Sequence, residues 1–433
     1  MNYTLHFQLL DEQGRDKENG AGTAVIEEEM LSLTVDSGAP FLFNLRDINE
    51  VNPFDYSVEL ILTSSDRLVL SRLGRLYDPF YKNLIANRNE VILKDLLMSE
   101  TLRRGEYRAE VKGRHCDGGE AALGRCELRL YETALVILPE CGELVRVPYS
   151  EITLINREDY NLLVNTEYNG GFQFSRMGRQ FDPFLKELNA AMDALSIKIQ
   201  ELLKELMPAG NPLTIREAAG LLKEGKSAQK ADLDAIDPEL WPELEKRLES
   251  AGIKAEYDFL LPLSRPEKVS AGIKRGLMGD LGGEYIWFLM PIYSFGPGEG
   301  GNAIAVEAAS GDSSGRATYF FRITERSLYR NLASPAELDL TADSFIKELN
   351  RAMILINFRR EPIYITSEQL NEPRFDRYRY AVQKIPALQT LRYHFIGRVF
   401  HYSDQQWRED VLALLKFNVE CDNDSLKWQK SNR

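Results

Sequence analysis

Apolar and polar positions alternate with period two through several short runs of this chain and then shift to helical spacing. From Cys126 to Ile137 the apolar residues alternate and then run on, and Leu144 to Tyr149 continues the pattern. Tyr160 to Thr166 and Phe172 to Met177 follow, split by Asn169-Gly170-Gly171, residue types that suit a tight hairpin turn. Phe184, Leu188, Ala191, Met192, Leu195 and Ile199 then fall on one helical face, which predicts a long amphipathic helix closing the segment.

This grammar occurs more than once because the sequence repeats itself. Ser71-Arg72-Leu73-Gly74-Arg75-Leu76-Tyr77-Asp78-Pro79-Phe80 recurs as Ser175-Arg176-Met177-Gly178-Arg179-Gln180-Phe181-Asp182-Pro183-Phe184. The same offset of about 104 residues places Tyr3 on Tyr107, Leu31 on Leu135, Ile48 on Ile152, Asp55-Tyr56 on Asp159-Tyr160 and Leu84 on Leu188. An offset of that size is a tandem duplication of whole domains. A partial third copy is expected: Asp343-Ser344-Phe345-Ile346-Lys347-Glu348-Leu349-Asn350 echoes 182–189, and Tyr319 to Ile323 echoes 173–177, with an insertion at 327–340. Asp78 and Asp182 are expected to N-cap the closing helices, Pro79 and Pro183 to open them, and Phe80 and Phe184 to start their buried stripes. Asp343 is expected to keep the cap without the proline.

Tyr131-Glu132-Thr133-Ala134-Leu135, Val147-Pro148-Tyr149-Ser150-Glu151-Ile152, Phe172-Gln173-Phe174-Ser175 and Asp182-Pro183-Phe184 occur in that order. This succession resembles the pleckstrin-homology-like (PH-like) superfold, and more narrowly the GRAM and bacterial PH-like domains. Phe43-Asn44-Leu45-Arg46-Asp47-Ile48 in the first unit lacks the proline and tyrosine of that pattern. The resemblance implies an α+β chain of three PH-like units, each an antiparallel barrel or sandwich closed by a C-terminal helix, at 1–104, 105–208 and 266–366. Between the second and third, 209–265 reads as a helical insert opened by Pro208-Ala209-Gly210-Asn211-Pro212, with Thr214 and Glu217 as a capping box. Its many acidic residues would repel phosphates, so packing is favoured over a DNA-reading helix-turn-helix. Residues 367–433 read as a helical, basic and aromatic tail.

Composition narrows the function classes. With 433 residues, 44% of them hydrophobic, the chain has enough apolar surface to fold, which excludes a disordered protein. Cys116, Cys126, Cys141 and Cys421 form no Cys-x-x-Cys pair and are expected as reduced, mostly buried thiols in a cytoplasm. Met1 to Leu10 has no basic start or long apolar core, so no signal peptide is expected. Tyr285 to Tyr293 is less than half of the ~20 residues a membrane helix needs, and is expected as a buried strand. A formal charge of −13 argues against a surface that grips nucleic acid or anionic lipid throughout, while leaving room for a local patch.

The tail is such a patch. Arg374, Arg377, Arg379, Lys384, Arg392, Arg398 and Arg408 outnumber Asp376 and Asp404, and Phe375, Tyr378, Tyr380, Tyr393, Phe395, Phe400, Tyr402 and Trp407 interleave with them. Arginines among aromatics suit stacking on single-stranded bases, for which Arg377, Tyr378, Arg392 and Tyr393 are the candidate contacts. The favoured alternative is a helical cap whose aromatics enter the core. For anionic headgroups the resemblance points to the first hairpin of the second unit, where Arg108, Lys112 and Arg114 are opposed by Glu106, Glu110, Asp117 and Glu120, so lipid is disfavoured.

Catalytic constellations are missing from the sequence. His115-Cys116 are neighbours in a glycine-rich loop, and His394 and His401, seven apart, could share a helical face but have no zinc-type partners. Ser310-Gly311-Asp312-Ser313-Ser314-Gly315 reads as a hairpin loop. The glycines at 276–283 and 296–301 match no phosphate-binding pattern. No catalytic residue, metal ligand or cofactor is therefore assigned. Arg72, Arg176 and Arg322 recur where the last strand ends, and each is expected to tie that strand to a carboxylate or loop carbonyl; the rival reading is three equivalent ligand sockets. The expected function is a cytoplasmic, non-enzymatic scaffold that binds another protein, the alternatives being nucleic acid through the tail or lipid through the second unit.

Overall fold

The computed structural model describes residues 1–35, 39–96, 100–114, 119–168, 170–276, 283–293, 301–309, 316–331, 335–421 and 423–428. His115-Cys116, Asn169, Ser310 to Gly315 and most of the two later glycine stretches lie outside them. The chain is α+β with antiparallel sheets and forms two units, 1–191 with 368–380 and 192–367 with 381–433. Among the described residues no helix is long and apolar enough to cross a membrane.

In the N-terminal unit the strands β1 (Asn2–Leu10), β2 (Asp16–Glu27), β3 (Met30–Val35), β4 (Phe41–Asn44), β5 (Ile48–Phe54), β6 (Ser57–Leu62) and β7 (Arg67–Ser71) form one sheet, followed by helix α1 (Tyr77–Asp95). A second set follows: β8 (Leu102–Arg114), β9 (Glu120–Tyr131), β10 (Ala134–Pro139), β11 (Val145–Pro148), β12 (Ile152–Glu158), β13 (Asn161–Thr166), β14 (Gly170–Ser175) and helix α2 (Phe181–Leu206). Strand order is β4-β3-β2-β1-β7-β6-β5 in the first sheet and β11-β10-β9-β8-β14-β13-β12 in the second. Even the register is shared: Tyr3 faces Ala24 as Tyr107 faces Leu128, and Val58 faces Leu70 as Leu162 faces Phe174.

Period-two alternation puts Tyr3, Leu5 and Phe7 inside, and the closing helix lays Phe80 edge-on against Tyr3 with centroids 5.1 Å apart. Phe184 meets Tyr107 the same way at 5.2 Å. The repeated Ser-Arg-x-Gly turn is explained by the backbone. Ser71 and Ser175 donate to the carbonyls of His6 and Glu110, and Arg72 (φ 59°), Arg176 (φ 56°), Gly74 (φ 54°) and Gly178 (φ 56°) are all left-handed. The chain then enters a short 3-10 turn that runs straight into the helix. Asp78 and Asp182 are therefore not caps as expected. They are the second residues of α1 and α2, where a carboxylate still favours the positive end of the helix dipole.

The C-terminal unit opens with helices α3 (Pro212–Leu221), α4 (Lys230–Ile236), α5 (Leu240–Ser250) and α6 (Lys254–Leu260), α3 and α4 being separated by the short strand β15 (Ala228–Gln229). Asn211, whose side chain accepts from the Leu213 amide, caps α3; the expected Thr214–Glu217 box lies inside that helix. Strands β16 (Ser270–Arg275), β17 (Glu284–Ile292), β18 (Ala303–Ala309) and β19 (Ala317–Arg322) follow. Then come α7 (Arg326–Asn331), α8 (Pro335–Leu355), α9 (Glu361–Tyr364), α10 (Arg379–Lys384), α11 (Pro386–His394), β20 (Phe395–Phe400) and α12 (Asp404–Glu420).

The six strands lie in plain sequence order, β15 to β20, so this sheet does not share the order of the first two. It is a meander extended by a strand from the tail, which means the tail is no separate helical unit. Asp343 is no cap either: it sits within α8, where its carboxylate accepts from Lys268 at 2.6 Å and Gln229 at 2.8 Å. Ile286, Phe288 and Met290 join the core formed with the insert helices and α12, while on the other side Trp287 meets Phe358 edge-on and Tyr285 meets it at a tilt. With both faces covered, β17 is buried almost throughout, which is why 285–293 reads as an unbroken apolar run.

Candidate functional site

A cleft of about 640 Å³ lies between the two repeats of the N-terminal unit. Its roof is α1 of the first repeat and its floor is the outer face of β8, β9 and β10 of the second. The sequence dictates this docking on both sides. Ser32 and Thr34, outward-facing in β3, are replaced at the same repeat positions by Val136 and Leu138, so β10 is apolar on both faces and is buried throughout. In α1, Arg88 and Asn89 are buried although polar. Asn89 donates to the Gly142 carbonyl at 2.9 Å and accepts from the Leu144 amide at 3.1 Å. Arg88 donates to the Ile48 and Asn49 carbonyls and pairs with Glu143 at 2.9 Å.

Charges line the cleft in pairs. Lys82 holds Glu140 at 2.6 Å, Arg129 holds Glu90 and Glu127 at 2.7 Å each, and Arg176 meets Glu110 at 2.8 Å. Lys82 is the main cause of a Glu140 pKa below the ordinary carboxylate value; Arg125 and Arg108 add to it from further away. Those two guanidiniums are exposed and engage no carboxylate within ion-pair distance among the described residues. Cys126 lies at the floor, its thiol pushed up to about 12 by burial and donating to the Leu123 and Gly124 carbonyls.

Of the residues singled out from sequence, Arg108 and Arg176 therefore line one cleft. Lys112 and Arg114 do not; both turn to Glu120, at 3.3 and 4.0 Å. Arg72 is exposed at its turn. Arg322 is not equivalent to the other two: it lies within β19, 1% exposed, bonded to Asn418 at 3.2 Å and paired with Asp424 at 2.8 Å. Arg125, Lys82 and Glu140 were not among the candidates. The loss of alternation at 134–139 was the signal that the outer face is covered.

The tail residues separate. Tyr378 is 2% exposed in the N-terminal unit, where Arg377 donates to its hydroxyl at 3.0 Å. Next to it Arg379 pairs with Asp47 and, at 2.8 Å, with Asp376. In the C-terminal unit Arg392 donates to the Pro362 and Ile365 carbonyls, while Tyr393 is 54% exposed and bonds Glu325 at 3.0 Å. His394 and His401 share no helical face, because β20 runs between them. His394 donates from Nδ1 to the Arg322 carbonyl, 2.7 Å away. His401 lies between Glu256 (3.1 Å) and Glu307 (3.0 Å). Among the described residues no group of three His, Cys, Asp or Glu side chains is placed to hold a metal ion. Of the described cysteines only Cys126 is buried, whereas Cys141 is exposed and Cys421 half-buried, so the expectation of mostly buried thiols fails for this set.

No protein-family model matches the chain, and no curated protein matches it.

Proposed function

We propose that residues 1–191 are a tandem pair of PH-like domains of the GRAM or bacterial PH-like kind, and that the chain is a non-enzymatic scaffold holding a segment of another protein in the cleft between them. The shared strand order, with a closing helix after each sheet, supports the PH-like reading for two units. The meander of the third sheet does not, so the proposal is a pair and not a triplet. The observation that carries the binding function is the cleft itself. It has the size of a ligand site, its lining is charge pairs over an apolar floor, and its one thiol is buried and pushed up to about 12 by that burial and by the nearby Glu140 carboxylate. A photo-crosslinking side chain placed at Ala86, on the roof, tests this in cells of the native host. Adducts to another protein that are absent when the same group is placed at exposed Leu42 are expected. Identical adducts from both positions, or none from Ala86, would overturn the proposal.

A further inference from the structure

We infer that the segment taken by the cleft is acidic: it presents an aspartate or glutamate carboxylate to Arg108 and Arg125, with an aliphatic neighbour on the apolar floor. This rests on reading the cleft as a protein-binding site. The first support is the charge arrangement. Every carboxylate in the lining is already held by Lys82, Arg129 or Arg176, which leaves the guanidiniums of Arg108 and Arg125 as the unspent charge. Guanidinium forks match a carboxylate in a bidentate way.

The second support is an internal control supplied by the duplication. Arg108, Glu110, Arg125, Glu127 and Arg129 occupy the positions of Thr4, His6, Ala21, Thr23 and Val25, and the pairs Arg108–Glu127 and Glu110–Arg125 keep the register of Thr4–Thr23 and His6–Ala21. The first sheet folds without those charges, so the strand pairing does not require them. They appear in the copy whose outer face is roofed by α1. Glu127 and Glu110 lie directly across the strands from Arg108 and Arg125, and the lining as a whole carries one net positive charge, so it suits a single carboxylate better than a phosphate dianion. Leu138, Pro139 and Ala86 provide the apolar contact.

Selection of random dodecapeptides displayed on phage against the intact chain is the test. Enriched peptides should carry Asp or Glu beside Leu, Ile or Val, and fluorescence anisotropy of a synthetic copy should show at least a tenfold loss of affinity for R108S/R125S. Both arginines are exposed, so hydrogen exchange of that variant should match the parent. R108E/R125E should enrich basic peptides instead. A consensus without acidic residues that still competes with the Ala86 crosslink overturns the acidic ligand and leaves the cleft reading intact. No enrichment at all, or peptides indifferent to both variants, overturns the two together.

Discussion

His401 donates from Nε2 to Glu307 Oε2 across 3.0 Å, and Glu307 is wholly buried in β18. The Nδ1 side faces Glu256 at 3.1 Å, Thr318 donates to the same Glu307 oxygen, and the imidazole stacks on Trp407 with centroids 5.4 Å apart. Burial alone would lower the His401 pKa; the two carboxylates more than reverse this and raise it to about 9. The folded value thus exceeds the ordinary 6.5, so this stabilisation is fully present below about pH 6.5 and is lost as pH rises through 9. A shift of that size corresponds to about 3 kcal/mol.

All four tryptophans, Trp241, Trp287, Trp407 and Trp428, belong to the C-terminal unit, so indole fluorescence reports that unit alone. The urea midpoint read this way should fall between pH 7 and 9.5 in the parent. The slope should be much reduced in His401→Gln. Equal slopes in the two proteins would remove the histidine from the account.

Arg322 and Arg176 should respond differently to alanine. Arg322 is buried against Asp424 and Asn418, and loss of one partner of a buried ion pair costs about 3 kcal/mol. Arg176, its side chain 79% exposed, makes a surface pair with Glu110 that contributes about 0.5 kcal/mol. Arg322→Ala should therefore lower the indole-monitored midpoint clearly. Arg176→Ala should leave hydrogen exchange in β8 and β14 almost unchanged. Similar losses from both substitutions would restore the view that the positions are equivalent.

Much of the fold was legible because periodicity and duplication are local or self-referential signals. Phe80 and Phe184 could be assigned to the core without knowing what lay opposite. Asp78 and Asp182 were misplaced by two positions because a left-handed arginine and glycine start the helical path before the aspartate, and φ is not written in an Asp-Pro-Phe motif. The third copy misled for a different reason. The match at 343–350 follows a helical pattern that any half-buried helix satisfies, whereas sheet order depends on long-range pairing such as that of β20 with β19. The cleft was half legible. Arg108 was noticed for its charge, but its setting depends on α1 lying across β10.

Close backbone approach makes Gly272 a sensitive position in the C-terminal unit. A Cβ there would stand 2.3 Å from Trp287 Nε1 and 2.7 Å from the Gly225 carbonyl, the two atoms of a 2.9 Å hydrogen bond. Gly272→Ala must break that bond or move β16, a cost of about 2–4 kcal/mol from overpacking and an unpaired indole N–H. Indole-monitored unfolding should show it, with a shifted Trp287 emission. A variant as stable as the parent would mean that β16 gives way without cost.

The two readings of the tail make opposite predictions for Tyr378. Its ring is buried beside Arg377 and Phe375, and Arg379 next to it is pinned by Asp47 and Asp376. A base could stack on that ring only if residues 368–380 left their site. Removing a buried ring of this size costs about 3 kcal/mol, so Tyr378→Ala should speed hydrogen exchange at 368–380 and leave oligonucleotide binding unaltered. Tyr393, which is exposed, is the residue whose loss should matter if nucleic acid were the ligand. Its neighbour Arg392 is already committed to the Pro362 and Ile365 carbonyls, however, and has little to offer a phosphate. Fluorescence anisotropy with labelled single-stranded 12-mers should accordingly find no submicromolar binding at low salt. Tight binding that weakens with a log–log salt slope of about −0.7 per phosphate contacted, and that Tyr393→Ala abolishes, would instead make the tail a nucleic-acid surface.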